Sequence, residues 1–281
     1  MSSLFILLVL PLIAFGSEFV LVSVYPFYDV VRELSGGRFR VEVLIPPRAD
    51  YHLYELSSRE VIKLSKAKVV FVSGIPLGGW EEKVEKIAGD RAVPLAKNLK
   101  LKRYDGHGEA RYDPHLWLSP KRMLGVARNA YEGLVKHDPE WKELYNENFA
   151  RLLSKLKSLD REFERAFKNC RYRVLPVVHP ALSYLAEDYG LNQLSIGRGG
   201  VHGGVSPREL ASFLKDMRKL GINFVFSVYG SRSKVADVLE KEYGLRVYQL
   251  NVKIIPLPHR RDYFSIMRYN LKVLREALKC M

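Results

Sequence analysis

DPEWKELYNENFARLLSKLKSLDREFERAFK, residues 138–168, has the spacing of one long amphipathic helix. Trp141, Leu144, Tyr145, Phe149, Leu152, Leu153, Leu156, Leu159, Phe163 and Phe167 recur at intervals dominated by three and four, with charges between them, which gives a single apolar stripe. Asp138 is the expected N-cap, with Pro139 at the first helical position and Glu140 and Glu143 in the first turn. At about 1.5 Å per residue the stretch spans roughly 45 Å, longer than one small domain needs. The expectation is a rigid strut along which two lobes pack.

On its N-terminal side, Glu18–Val24 (EFVLVSV), Arg40–Ile45 (RVEVLI) and Lys68–Ser73 (KVVFVS) read as strands. Helical patterns separate them, the second opened by a capping box of Ser57 and Glu60. Ser119-Pro120 starts a helix that runs to Lys136. On the C-terminal side, strands are expected at Arg173–Val178, Asn223–Val228 and Arg246–Leu250, with Pro176 implying an edge position or a bulge for the first. Ser206-Pro207-Arg208-Glu209 is a second capping box, and Tyr263–Leu278 a final helix. Alternation of this kind implies parallel βαβ units. The fold class is therefore α/β, with two lobes, each a parallel sheet flanked by helices. The division is residues 1–16 as export signal, 17–120 as N-terminal lobe, 121–169 as connecting helices including the strut, and 170–281 as C-terminal lobe.

Hydrophobic residues are 47% of the 281, enough for a full core. Lys and Arg exceed Asp and Glu by 45 to 31, but the densest basic segment, KNLKLKR at 97–103, lacks the interleaved aromatics of a base-stacking surface. No nucleic-acid partner is expected, and the excess reads as solubility. LFILLVLPLIAF at 4–15 is too short to span a bilayer in the usual way, and Ala14 and Gly16 suit cleavage after Gly16. The protein is expected to be exported, to the periplasm or the outer face of the cytoplasmic membrane. No cysteine follows the run to take a lipid. Cys170 and Cys280, the only two, are either one disulfide or two buried thiols.

His52, His115 and His179 share a context, each just beyond a strand or in the loop before a helix. In open α/β sheets ligands collect outside the carboxyl ends of strands, so three imidazoles from two facing lobes can converge in the cleft. Converging imidazoles suit a divalent ion, zinc first. The polar loop 99–112, which contains His107, and the glycine-rich segment 197–204, which contains His202, read as mobile surface.

PPRADYHLYE at 46–55, KAKVVFVSG at 66–74, DPHLWLSP at 113–120, HPALSYLAEDYGL at 179–191, SPREL at 206–210 and DYFSIMRYNLKVL at 262–274 resemble the zinc and manganese solute-binding proteins of ABC importers. The resemblance covers nearly the whole chain beyond the first 16 residues. It implies two α/β lobes on one long helix, His52, His115 and His179 as metal ligands, and zinc, with manganese as a variant, as the transported ligand. It further implies a membrane permease as partner and a monomer without catalytic activity. Two departures stand out. In the family a carboxylate follows the last strand, about twelve residues before the Tyr-aromatic pair, where this chain has Asn251, and Arg48 replaces a common glycine. The fourth ligand is open among Asn251, His259, Asp262 and water. The histidine-rich insertion of zinc-type members is reduced to His107.

Two other functions use the same residues. A metal-dependent hydrolase can be built on three histidines and water, but no HExxH-type motif accompanies them. A chelate-binding protein for a siderophore or cobalamin shares the strut but gives the histidines no common role. Because ligands must be neutral imidazoles, metal affinity is expected to fall below about pH 6.

Overall fold

The computed structural model describes residues 18–75, 77–103, 112–196, 205–231 and 233–281. The expected export signal, His107 and His202 lie outside them.

β1 (Phe19–Val22), α1 (Tyr28–Ser35), β2 (Arg40–Val43), α2 (Ser58–Lys66), β3 (Val70–Val72), α3 (Trp80–Ala88) and β4 (Ala92–Pro94) form the first lobe. Its strands are parallel in the order β2-β1-β3-β4. Val20, Leu21, Val22, Val70, Phe71 and Val72 are fully buried, the unbroken apolar runs of a sheet covered on both faces. The Ser57–Glu60 capping box is formed as the sequence implies. α4 (Pro120–His137), capped by Ser119, leads to α5 (Lys142–Ala166), the strut.

β5 (Val174–Val177), α6 (Ser183–Asp188), β6 (Asn192–Ser195), α7 (Pro207–Lys219), β7 (Phe224–Val228), α8 (Lys234–Lys241), β8 (Arg246–Leu250) and α9 (Tyr263–Leu278) form the second lobe. The order β6-β5-β7-β8, again parallel, repeats the first lobe's topology. In each sheet the order in which strands are added reverses between the neighbouring first and third strands of the lobe, β1/β3 and β5/β7, and such switch points open a crevice at the strands' carboxyl ends.

Three expectations are corrected. β5 is an interior strand, not an edge. The Val177 carbonyl accepts from Ile196 of the β6 side, and the Val178 N–H donates to Phe226 of β7 at 2.9 Å. By alternation the missing N–H of Pro176 faces β7, where the registered pairing shrinks to Val177 with Phe226. Second, the sequence pattern gave no sign of β4 or β6. Third, Asp138 does not cap the strut with its side chain. Pro139–Trp141 form a 3-10 turn ahead of α5, and the Asp138 carboxylate instead pairs with both nitrogens of the Arg38 fork at 3.1 Å and accepts from Tyr145 Oη. A charge-assisted bidentate pair outweighs one backbone N–H as partner for a buried carboxylate.

α5 is about 37 Å long and packs on α4, on α1 of the first lobe and on α9 of the second. Leu152, Leu156, Leu159 and Phe163 along it are fully buried. Cys170 and Cys280 are disulfide-bonded across 110 residues, and Arg171 and Tyr172 donate to the carbonyls of Lys279 and Leu278 beside the bond. The lobes are joined directly as well. Trp117 Nε1–H donates to the Val252 carbonyl at 2.8 Å, while the Trp117 carbonyl accepts from Tyr263 Oη at 2.8 Å. The Tyr263 N–H donates to Asp29 at 2.8 Å. Among the described residues no helix is long and apolar enough to cross a membrane.

Candidate metal centre

His115 is the most firmly built of the three histidines. Residues 113–115 turn so that Asp113 Oδ1 accepts the His115 backbone N–H at 2.9 Å and lies 2.8 Å from His115 Nδ1. The other oxygen of Asp113 accepts from Ser183 Oγ, and its carbonyl accepts from Tyr184 Oη at 2.9 Å, both from α6 of the opposite lobe. Burial alone would raise the Asp113 carboxyl, but the hydrogen bond and charge of His115 and the Ser183 hydroxyl hold it below the ordinary range. A carboxylate on Nδ1 fixes the imidazole tautomer, with the proton on Nδ1 and the lone pair on Nε2.

His179 follows β5 at the switch point. Its Nε2 stands 3.2 Å from His115 Nε2, the rings nearly perpendicular with centroids 5.0 Å apart. Two imidazole nitrogens on one tetrahedral zinc, each at 2.0–2.1 Å, lie about 3.3 Å apart. The two nitrogens thus already hold the separation a shared ion needs. Burial, then the neighbouring His115 and His52, pushes the His179 imidazole down to about 3, so it stays neutral.

His52 lines the same cavity, its ring centroid 6.5 Å from that of His115. Its loop is pinned from three directions. Trp80 Nε1–H donates to the Tyr51 carbonyl at 2.6 Å. Lys253 Nζ reaches from the second lobe to the Ala49 carbonyl at 3.0 Å and lies 5.5 Å over the Tyr51 ring. A side chain at Gly78 would meet the Tyr51 and His52 carbonyls at 2.9 and 3.0 Å, so the 77–80 turn reaches this loop only because residue 78 is glycine.

The cavity is about 280 Å³, walled by Trp117, Val178, Ile196 and Val252 and with Ser227, Ser231 and Ser233 at its polar side. Among the described residues no three His, Cys, Asp or Glu side chains converge closely enough to hold an ion as they stand. His115 and His179 are together and His52 stands off. A groove of about 390 Å³ beside α9 contains no histidine.

None of the three side chains weighed as fourth ligand lines the cavity. Asn251 is buried, with Oδ1 accepting from the Ile255 N–H at 2.8 Å and Nδ2 donating to the Ile255 carbonyl at 2.7 Å. Asp262 caps α9 in a box with Ser265. His259 is exposed. Arg48 is exposed as well, and the cation at the cavity is Lys253. Motif reading missed Asp113 as the partner of His115, although its place two residues earlier is a signal for a side-chain turn. Lys253 had no signal, since only the meeting of the lobes brings it to Ala49.

Two parallel-sheet lobes on a long helix, with histidines from both at the crevice between them, define a two-lobed solute-binding architecture. The model of the zinc-uptake complex component A periplasmic family matches residues 20–277, and the chain belongs to that family. It is 29% identical to the zinc-binding protein AdcA of Streptococcus pyogenes over 94% of its own length and 56% of that protein's, and so spans little more than half of that relative. It is 26% identical to the high-affinity zinc uptake system protein ZnuA of Bacillus subtilis, over 92% of this chain and 87% of that one. A ZnuA deletion mutant with zinc bound superposes with a TM-score of 0.83 at 25% identity, covering 94% of this chain and 98% of the other.

Proposed function

We propose that the protein is the extracytoplasmic solute-binding component of an ABC importer. It captures a divalent ion, zinc before manganese, on His52, His115 and His179 and delivers it to a membrane permease. The observation that carries this reading is the 3.2 Å separation of two Nε2 atoms from opposite lobes in a cavity that His52 also lines. Nitrogen-only protein ligation favours zinc over manganese, which prefers oxygen. With Asn251, His259 and Asp262 occupied or outside the cavity, water completes the site.

The reading places an export signal at 1–16, lobes at 17–120 and 170–281 and connecting helices at 121–169. It takes the protein to be a monomer that neither binds nucleic acid nor turns over a substrate. Family membership supports transport over hydrolysis. The placement of His52, His115 and His179 on one cavity favours an ion over a siderophore or cobalamin, neither of which would give the three imidazoles a common role.

Removing one imidazole leaves too few nitrogens to close a tetrahedral site, so His52→Ala, His115→Ala and His179→Ala are each expected to weaken zinc binding by orders of magnitude in calorimetry. Wild-type affinity in all three would exclude this site. Elemental analysis of protein purified without an affinity tag identifies the ion.

A further inference from the structure

The sequence Asp-x-His occurs twice at this cavity, as Asp50-Tyr51-His52 and as Asp113-Pro114-His115. The structure folds both in the same way. Asp50 Oδ1 accepts the His52 N–H at 3.0 Å, and Asp113 Oδ1 accepts the His115 N–H at 2.9 Å. A turn closed by an aspartate side chain brings the ring two residues on within reach of the same oxygen. In the second turn that reach is used, with His115 Nδ1 2.8 Å from Asp113 Oδ1.

We propose that Asp50 is a positioning residue for the metal: on loading, its carboxylate takes the Nδ1–H of His52 and aims Nε2 at the ion, as Asp113 does for His115. The inference rests on the three-histidine site proposed above and adds to it how the third ligand is oriented.

Two contrasts between the turns support it. Asp113 is buried and held by Ser183 and Tyr184 across the lobe junction, whereas Asp50 is exposed at the cavity. The first turn is therefore tied across the junction, and the second opens onto the cavity. Correspondingly His115 already stands against His179, with centroids 5.0 Å apart, and His52 is 6.5 Å from His115. To join the other two, His52 has to bring Nε2 to about 3.3 Å from theirs. The backbone around it resists moving as a unit, because the Ala49 and Tyr51 carbonyls on either side of Asp50 are held by Lys253 and Trp80. The change is then confined to the Asp50 and His52 side chains. Asp50 is also the one carboxylate among the described residues that line the cavity, which suits it to offset part of the ion's charge through His52.

The test compares Asp50→Asn and Asp50→Ala with wild type in zinc titrations and in histidine side-chain NMR of the zinc-loaded protein. Asparagine keeps an oxygen for the His52 N–H, so it preserves the turn and removes only the charge. Asp50→Ala is expected to lose about 10- to 100-fold in affinity, with Asp50→Asn between it and wild type. The slowly exchanging Nδ1–H of His52 is expected to shift in the asparagine variant and to exchange rapidly in the alanine variant. If Asp50→Asn matches wild type in both affinity and Nδ1–H resonance, the aspartate only closes a turn and the inference fails. A His52 proton on Nε2 in the loaded protein also overturns it. His115→Ala and His179→Ala in the same titration separate the two levels: if they bind like wild type the site itself is wrong. If they lose binding and the Asp50 variants do not, only the role of Asp50 is wrong.

Discussion

Asn251 stands where the family resemblance leads one to expect a carboxylate, and from sequence an aspartate there is expected to tighten zinc binding. Its environment reverses that expectation. The amide is matched at both ends to one peptide unit, Oδ1 to the Ile255 N–H and Nδ2 to the Ile255 carbonyl, while its own backbone pairs with the Asn270 side chain. Asn251→Asp replaces a donor by an acceptor opposite the part-buried Ile255 carbonyl. The expected outcome is a loss of about 1–3 kcal/mol in urea denaturation with no gain in zinc affinity. Tighter zinc binding in that variant would put residue 251 at the ion. His137 gives the pH counterpart. Its Nε2 is buried without a hydrogen-bond partner among the described residues, and burial, reinforced by Lys136, lowers its pKa. The unfolded chain takes up a proton near pH 6.5 that the folded chain refuses, so stability is full above that pH and is lost as the pH falls below it. Melting curves at pH 7.5 and 5.5 should show a smaller drop for His137→Gln than for wild type, and equal drops would remove His137 from the acid response. That His52, His115 and His179 line one cavity was legible from their places just beyond a strand or in the loop before a helix. The partners of His115 were not, because Ser183 and Tyr184 reach Asp113 only once the lobes meet.

Apart from the cap expected at Asp138, helix starts with local signals formed where the sequence places them. Both Ser-led capping boxes formed, at Ser57 and Ser206, and α9 begins and ends at the expected residues. What escaped was short or set by tertiary structure. β6 is Asn192–Ser195 (NQLS), a polar edge strand, and β4 is three residues ending in proline, so neither carries the apolar run by which strands are recognised. Because proline lacks an N–H, Pro176 implies an edge position or a bulge for β5, but an interior strand tolerates it where its neighbour's pairing is already short. Gly78 belongs to this scale too, because it fixes how closely the 77–80 turn approaches the His52 loop. Gly78→Ala forces a methyl to about 3 Å from two carbonyls and the Trp80 indole nitrogen. Since Trp80 Nε1–H holds the Tyr51 carbonyl, the methyl should push residues 51 and 52 away from the cavity. The expectation is a zinc affinity weakened about tenfold or more by misplacing one of three ligands, with a stability loss of about 1–3 kcal/mol. Unchanged zinc affinity would show that the loop position does not matter to binding.

At the scale of the molecule the question is what moves when the ion enters. The long helix suggests resistance to hinge opening, and loops at 97–112, 197–205 and 252–262 are the expected mobile pieces. Residues 104–111 and 197–204 lie outside the described structure, but 252–262 is tied at several points. Val252 accepts from Trp117, Lys253 reaches Ala49, Ile255 is paired with Asn251, and Leu257 and Arg260 bridge each other. The bonds from Val252 and Lys253, with Tyr263 on Trp117 and Asp29, join the two lobes, and the Arg122 fork on Asp188 at 2.7 and 2.8 Å ties the second lobe to α4. Rotating one lobe against the other would break several of them together and expose the apolar face of α5, whereas swinging His52 changes one side chain on a fixed backbone. Zinc should therefore increase hydrogen-exchange protection chiefly at residues 48–53 and around His115 and His179, with α5 protected equally with and without the ion. The 252–262 segment should be slow to exchange in both states. Strut amides that exchange rapidly without zinc and slowly with it would mean instead that the lobes part about a true hinge, and that the contacts across the junction form only on loading.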